Sequence, residues 1–241
     1  LNRKINSSYT DLENELKKNI SGEVRFDAIT RQMYSTDASI YSMEPIGVVL
    51  PHSKEDVSNI IKIAYKNNVS ILPRGGGTGL SGQTVNHSIV IDFSKYLHNI
   101  IEVNPEEKWV KTQPGITIDQ LNSQIRNHNL FFTPDPSTTS RANVGGALGN
   151  NSCGAHSVVY GKTVDQIIDM EVVLSDGSVA DFRELDLEEV IIKSKSNSFE
   201  GNIYKNLIEI AKNSSPEVEK RFSKILRRVG GYNLDLIQKT N

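Results

Sequence analysis

Leu72 to Asn86 reads LPRGGGTGLSGQTVN, and within it Gly77-Thr78-Gly79-Leu80-Ser81-Gly82 has the spacing G-x-G-x-x-G. No other stretch limits the architecture as tightly, because its glycines suit a backbone that takes positive φ or meets a ligand at close range. In a Rossmann dinucleotide site the last glycine opens a helix whose N-terminus faces the pyrophosphate. Here Gly82 is followed by Gln83-Thr84-Val85-Asn86-His87-Ser88 and then by the apolar run Ile89-Val90-Ile91. A helix of even three turns does not fit between them. The acid that would hold a ribose, expected about 20 residues further on, falls in the turn-forming Asn104-Pro105-Glu106-Glu107. The Rossmann reading, with its nicotinamide cofactor, is therefore disfavoured. Two readings stay open from the loop residues alone. One is a wide nest of backbone N–H groups that binds phosphates without a helix, with Thr78 and Ser81 adding hydroxyl donors. The other is a flexible surface loop, against which the ordering entropy of so many glycines after an apolar strand weighs.

The flanking residues place this loop at the end of a β-α-β unit. Gly47 to Leu50 is an apolar strand closed by Pro51, and Ser53-Lys54-Glu55-Asp56 predicts a helix start of the capping-box kind. Val57, Ile60, Ile61 and Ala64 form its buried face, and Val69 to Leu72 is the second strand. Downstream, Ser88 to Phe93 and Ile100 to Val103 read as strands, the latter paired in a hairpin with Lys108 to Thr112. Thr117 caps a helix carrying Ile118, Leu121 and Ile125. Pro134 and Pro136 then open a loop-rich stretch to Gly161. Ile167 to Leu174 and Ser178 to Phe182 form a hairpin about Asp176-Gly177, and the charged remainder is helical to about Arg228. Upstream, Leu12, Leu16 and Ile20 recur every four residues on an amphipathic surface helix. The class is α+β, two lobes without strict β-α alternation. The expected domains are a helical N-terminal segment (1–42), a binding domain (43–183) and a charged helical segment (184–241).

Composition removes several function classes. Lys and Arg number 27 against 29 Asp and Glu, a net charge of −2 that offers no basic field for nucleic acid. Cys153 is the one cysteine, so an internal disulfide is impossible, and packing is the expected role of a lone thiol. His52, His87, His98, His128 and His156 show no helical metal-ligand spacing, so no metal site is expected. No apolar run reaches the roughly 20 residues of a membrane span. Residue 1 is Leu, not Met, so further residues are expected upstream.

A second stretch, Pro134 to Ser178, PDPSTTSRANVGGALGNNSCGAHSVVYGKTVDQIIDMEVVLSDGS, bears on the open question. With LPRGGGTGLSG before it, it resembles the FAD-binding half of the vanillyl-alcohol oxidase superfamily, the PCMH-type fold. Within that superfamily the chain is most similar to the D-2-hydroxy-acid branch: glycolate, D-lactate and D-2-hydroxyglutarate dehydrogenases. RFDAITRQMYSTDAS, Arg25 to Ser39, and GNNSCGAHSVVYGKT look closest to large bacterial members that carry an iron–sulfur module. The resemblance implies that Arg74, Gly75, Gly76, Gly77, Thr78, Gly79, Ser81 and Gly82 contact the FAD pyrophosphate, largely through backbone N–H groups. It implies that Asp135, Pro136, Ser137, Asn143, Gly145, Gly146, Asn150, Asn151, Ser152, Cys153 and Gly154 complete the cradle, and that Val172 lies near the adenine.

Covalent members of the superfamily carry His where this chain has Thr78, so the FAD is expected to be non-covalent. Gln83 stands where relatives often show another glycine, and its role is left unassigned. The ending RRVGGYNLDLIQKTN resembles the junction into a substrate-binding domain. The resemblance thus implies a portion of a longer enzyme that oxidises a small D-2-hydroxy acid by hydride transfer to flavin N5. The catalytic base and any metal site would lie outside this chain. Electrons would go to an iron–sulfur module or a separate partner, in the cytoplasm or peripherally at the inner membrane. The competing expectation is a non-catalytic flavin-binding subunit that works with a separate catalytic chain.

Overall fold

The computed structural model describes residues 2–225, 228 and 231–237, with side chains from residue 9 onward. These fall into two compact units, residues 2–166 with 175–177, and residues 167–174 with the described residues from 178 onward.

In the first unit β1 (Glu23–Arg25), β2 (Gly47–Leu50), β3 (Ile71–Arg74) and β4 (Ile89–Asp92) make one sheet in the order β1-β2-β4-β3. β1 is antiparallel to β2, whereas β2 and β3 are both parallel to β4. The expected β-α-β unit is present, but β4 is inserted between its strands, with Val90 opposite Val48 on one side and Leu72 on the other. Burial accounts for the order. Every residue of β2 and β4 is buried, as parallel strands covered on both faces require, while the more exposed β3 takes the edge.

α1 (Asn2–Asn19), α2 (Ala28–Met33) and α3 (Lys54–Lys66) belong to this unit. α1 docks by Leu12 and Leu16, both buried, and Lys66 at the end of α3 pairs with Glu15 at 2.7 Å. α3 buries Val57, Ile60, Ile61 and Ala64 as expected. Its capping box is only half formed. Ser53 Oγ accepts from the Asp56 amide at 3.2 Å, but the Asp56 carboxylate accepts from the Ser21 amide and hydroxyl and the His52 amide, at 2.8, 2.9 and 2.9 Å. Burial pushes the Asp56 carboxyl up; these donors outweigh it and hold the group below its usual range.

β5 (Ile100–Asn104) and β6 (Trp109–Thr112) form the expected hairpin, with Trp109 half-buried and its Nε1–H donated to Glu107 at 2.8 Å. α4 (Ile118–Ile125) has a complete capping box of Thr117 and Gln120 and buries Ile118, Leu121 and Ile125. The stretch expected to be loop instead contains α5 (Val144–Asn150) and the short α6 (Ser157–Tyr160). α5 includes Gly145, Gly146 and Gly149, each about 1 kcal/mol worse than alanine in a helix. Tertiary burial overrides that preference. Val144 joins Ile116, Leu121 and Ile125 in one cluster, and Ala147 joins Ile118 and Ala142 in another.

The second unit holds the hairpin of β7 (Asp169–Val173) and β8 (Val179–Arg183). α7 (Leu187–Ser194), capped by Asp186, and α8 (Phe199–Arg221) follow, then the short α9 (Leu234–Ile237). The long helix therefore stops at Arg221, short of the expected limit. No helix among the described residues is long and apolar enough to cross a membrane.

Candidate functional site

The loop after β3 is anchored at its root by Arg74. Its guanidinium donates to the carbonyls of Tyr34, Thr84 and Thr36 at 3.1, 3.0 and 2.7 Å and lies 5.2 Å from the Tyr34 ring centre. Tyr34 donates its hydroxyl to the buried Asp92 at 2.5 Å; burial first and Asp92 second push that phenol well above its ordinary range. The Arg74 side chain is thus committed to shaping the loop. Further along, the Ala38 amide donates to Gly77 O at 2.9 Å and Thr84 Oγ1 to Asp37 at 2.7 Å. Gly77 and Gly82 take φ of +63° and +75°, a region that side chains disfavour. Among the described residues, the backbone amides of Gly77, Thr78 and Gly79 donate to no protein acceptor. The Leu80 amide likewise has no acceptor, so four consecutive amides of the loop are without a partner among the described residues.

The second segment is tied to this loop at two points. Asn143, only 4% exposed, sits at the start of α5 yet caps nothing in its own helix. Its Oδ1 accepts from the Gly76 amide at 2.6 Å and its Nδ2 donates to Gly115 O at 2.5 Å. The loop presses closely here: a Cβ at Gly75 would lie 2.4 Å from Asn143 Oδ1, and one at Gly76 would lie 2.2 Å from Arg141 O. At the other end of α5, Gln83 Nε2 donates to Asn150 Oδ1 at 3.3 Å, while Gln83 Oε1 accepts from the Ser81 amide at 3.1 Å. Both ties join residues 67 apart in sequence. Loop residues 76–83 and helix residues 143–150 are therefore the two long sides of a frame.

Glycine has different reasons at different places in the frame. A Cβ at Gly145 would strike Pro114 at 2.6 Å, but one at Gly146 or Gly149 would meet nothing within 4 Å. Gly146 and Gly149 are three apart and share a helix face. That face is bare backbone, with no internal packing reason to be so.

The remaining candidates line the chain beyond α5. Asn151, at φ +47°, accepts from the Val164 amide through Oδ1 at 3.0 Å, while its Nδ2 is buried without a partner. Ser152 O accepts from the amide and hydroxyl of Thr163 at 3.0 and 2.8 Å. Cys153 is a half-buried free thiol. Asp135 brings its own segment to this one: its carboxylate accepts from the His156 amide at 3.0 Å and pairs with His156 Nδ1 at 2.7 Å. Gly154 is packed there too, since a Cβ would lie 2.1 Å from Asp135 O. Pro136 O accepts from the Thr139 amide at 3.2 Å, and Ser137 is exposed. Val172 is half-buried in β7 of the second unit, opposite Ala180. Among the described residues no three His, Cys, Asp or Glu side chains gather as a metal cage.

Sequence reasoning did not find Gln83, Tyr34, Asp37 or Asp92 as parts of this arrangement. Gln83 carried one signal, its departure from glycine at a loop position; the other three act through contacts with residues far away in sequence.

Residues 45–183 match the family described as FAD binding domain. The chain is 37% identical over 221 residues to D-2-hydroxyglutarate dehydrogenase of Escherichia coli strain K12, covering 90% of this chain and 22% of that protein. It is 36% identical over 166 residues to the glycolate oxidase subunit GlcD of Bacillus subtilis strain 168, covering 66% of this chain and 35% of that one. Among solved structures, alkyldihydroxyacetonephosphate synthase superposes with a TM-score of 0.68 at 24% identity, over 76% of this chain and 37% of that chain. The 6-hydroxy-D-nicotine oxidase of Arthrobacter nicotinovorans superposes with a TM-score of 0.62 at 22% identity, over 71% and 38%. The chain spans only 22% of the length of the D-2-hydroxyglutarate dehydrogenase it matches. With a family match over more than half its residues, the chain belongs to the FAD-binding domain family, and it shares the PCMH-type fold with that synthase and that oxidase.

Proposed function

We propose that this chain is the flavin-holding portion of a longer dehydrogenase of D-2-hydroxy acids, with D-2-hydroxyglutarate the favoured substrate. One observation carries the cofactor part: a frame of two glycine segments that leaves the amides of Gly77, Thr78 and Gly79 unpartnered on one side and the bare Gly146–Gly149 face on the other. These features fit FAD. Consecutive amides suit a pyrophosphate, and glycines without a packing neighbour suit close approach of the cofactor to the backbone. The buried, unpartnered Nδ2 of Asn151 offers one more donor.

When bound, FAD supplies the hydride acceptor, N5, for the substrate α-carbon. The residues of this chain bind and orient it. Arg74 and Asn143 fix the loop, Gly75 to Gly82 would hold the phosphates, and Asp135 to Ser137 with Asn150 to Gly154 would line the cofactor. Thr78 offers no imidazole for a covalent link, so this loop holds the flavin non-covalently. The base that takes the hydroxyl proton and the grip on the substrate carboxylate come from outside these residues. Electrons leave to an iron–sulfur module or a separate partner, and the working compartment is the cytoplasm.

The substrate assignment is supported by the 37% identity to D-2-hydroxyglutarate dehydrogenase across 90% of this chain. A second reading, a flavin-binding subunit serving a separate catalytic chain, is favoured by the name of the glycolate oxidase relative, a subunit. Purified protein tests the cofactor: yellow absorbance released on acid precipitation supports non-covalent FAD, and colourless protein that refuses FAD but binds NADH overturns it. Assay of the full-length gene product against D-2-hydroxyglutarate, D-lactate and glycolate with a dye acceptor tests the substrate. Turnover only in the presence of a co-purifying chain selects the subunit reading.

A further inference from the structure

The frame is closed by two ties of very different character. At the Gly76 end the hydrogen bond is 2.6 Å long, the Asn143 side chain is buried, and its other atom satisfies the buried carbonyl of Gly115. Opening that end would strand a buried acceptor. At the Gln83 end the bond is 3.3 Å between two exposed side chains, near the long limit for such a bond. Breaking it exposes nothing buried, and water replaces both partners. The Gln83 amide also lies over Gly79, where a Cβ would fall 2.4 Å from Nε2. It therefore lies against Gly79, one of the residues whose amides are unpartnered, and it is steadied there by the Ser81 amide.

We infer that Gln83 is a latch: the Gln83–Asn150 hydrogen bond closes the open end of the frame over the FAD phosphates, and release of that bond is the step through which the cofactor enters and leaves. This rests on the FAD reading above and adds to it a positioning residue that acts through Asn150 and the loop. The two ties make the frame a hinge at Asn143 and a clasp at Asn150. α5, seven residues long, spans about 10 Å between them.

The test uses the full 241-residue chain loaded with FAD, in wild type, Gln83→Ala, Asn150→Ala and the double variant. Stopped-flow flavin fluorescence reads release on dilution and uptake on mixing. Each single variant is expected to speed both release and uptake roughly three- to tenfold, the share of one exposed neutral hydrogen bond, because a clasp controls passage in both directions. The double variant is expected to be no faster than the faster single, since both substitutions remove the same bond. The melting temperature of the FAD-free protein is expected to stay at the wild-type value in all three. Faster release with unchanged uptake, or effects that add in the double variant, would make Gln83 an ordinary contact and overturn the latch. Unchanged rates would make it a plain loop residue. Wild-type protein that takes up no FAD would overturn the cofactor reading itself, which separates that failure from a failure of the latch.

Discussion

Asn143→Ala removes a buried side chain that joins the glycine loop to the floor beneath it. Two groups lose their partners, the Gly76 amide and the buried Gly115 carbonyl, now met at 2.6 and 2.5 Å. A buried polar group left unsatisfied costs about 1–3 kcal/mol. Gly76 is exposed but its hydrogen bond to Asn143 is part-buried, which places it at the lower end of that range, with the buried Gly115 in its middle, so the loss is about 3 kcal/mol. For a chain of this size that lowers the thermal midpoint by about 6–12 °C. Differential scanning calorimetry of the FAD-free protein reads it directly. Asn143→Asp sharpens the test, because the carboxylate can still accept from Gly76 but cannot donate to Gly115 unless protonated. Its folded pKa is therefore raised above the unfolded value of about 3.9. The sign follows: relative to wild type, Asn143→Asp is close to normal below that pH and loses stability as pH rises through its folded pKa. Asn143→Ala shows no such pH dependence. A midpoint for Asn143→Ala within about 1 °C of wild type, against the loss expected from two stranded groups, would refute the reasoning. So would identical pH profiles for the two variants.

Two further outcomes follow from the same contacts. Lys95 first, then Tyr96 and Arg25, hold the Glu23 carboxyl at about 2 against an ordinary 4.5. Because the folded value is the lower one, this contribution is present above pH 4.5 and is lost as pH falls from there through about 2; Glu23→Gln is expected to flatten that limb of an acid unfolding curve. Gly82→Ala forces a side chain into φ +75° and towards the Tyr41 ring, 2.5 Å from the new Cβ. A loss of about 1–2 kcal/mol in urea unfolding is expected.

Much of the first unit could be read locally. The apolar runs around Val48, Leu72 and Val90, the face of α3 and the Thr117 cap are properties of neighbouring residues, and all are in place. The position of β4 between β2 and β3 was not legible, since strand order depends on which strand is covered on both sides. α5 was hidden because Gly145, Gly146 and Gly149 argue against a helix, and only the burial of Val144 and Ala147 produces one. Asp56 shows the same limit at a smaller scale: Ser53 and Asp56 have capping-box spacing, yet the carboxylate is drawn to Ser21, which is 35 residues away. At the site, the short span between Gly82 and Ile89 weighed against one architecture and resemblance supplied another. The work of Arg74 on three carbonyls and the Gln83–Asn150 tie are tertiary facts that no motif encodes.

The convergence of the two glycine segments on one flavin is tested most directly at Gly146. An alanine there meets no protein atom within 4 Å and gains up to about 1 kcal/mol of helix propensity, so the FAD-free protein should melt no lower than wild type. If the bare face of α5 receives the cofactor, the same methyl displaces it, and FAD affinity measured by fluorescence titration should fall roughly ten- to a hundredfold for an overpacked contact. A Gly146→Ala protein that binds FAD as tightly as wild type, or a wild-type protein that binds none, would contradict the account.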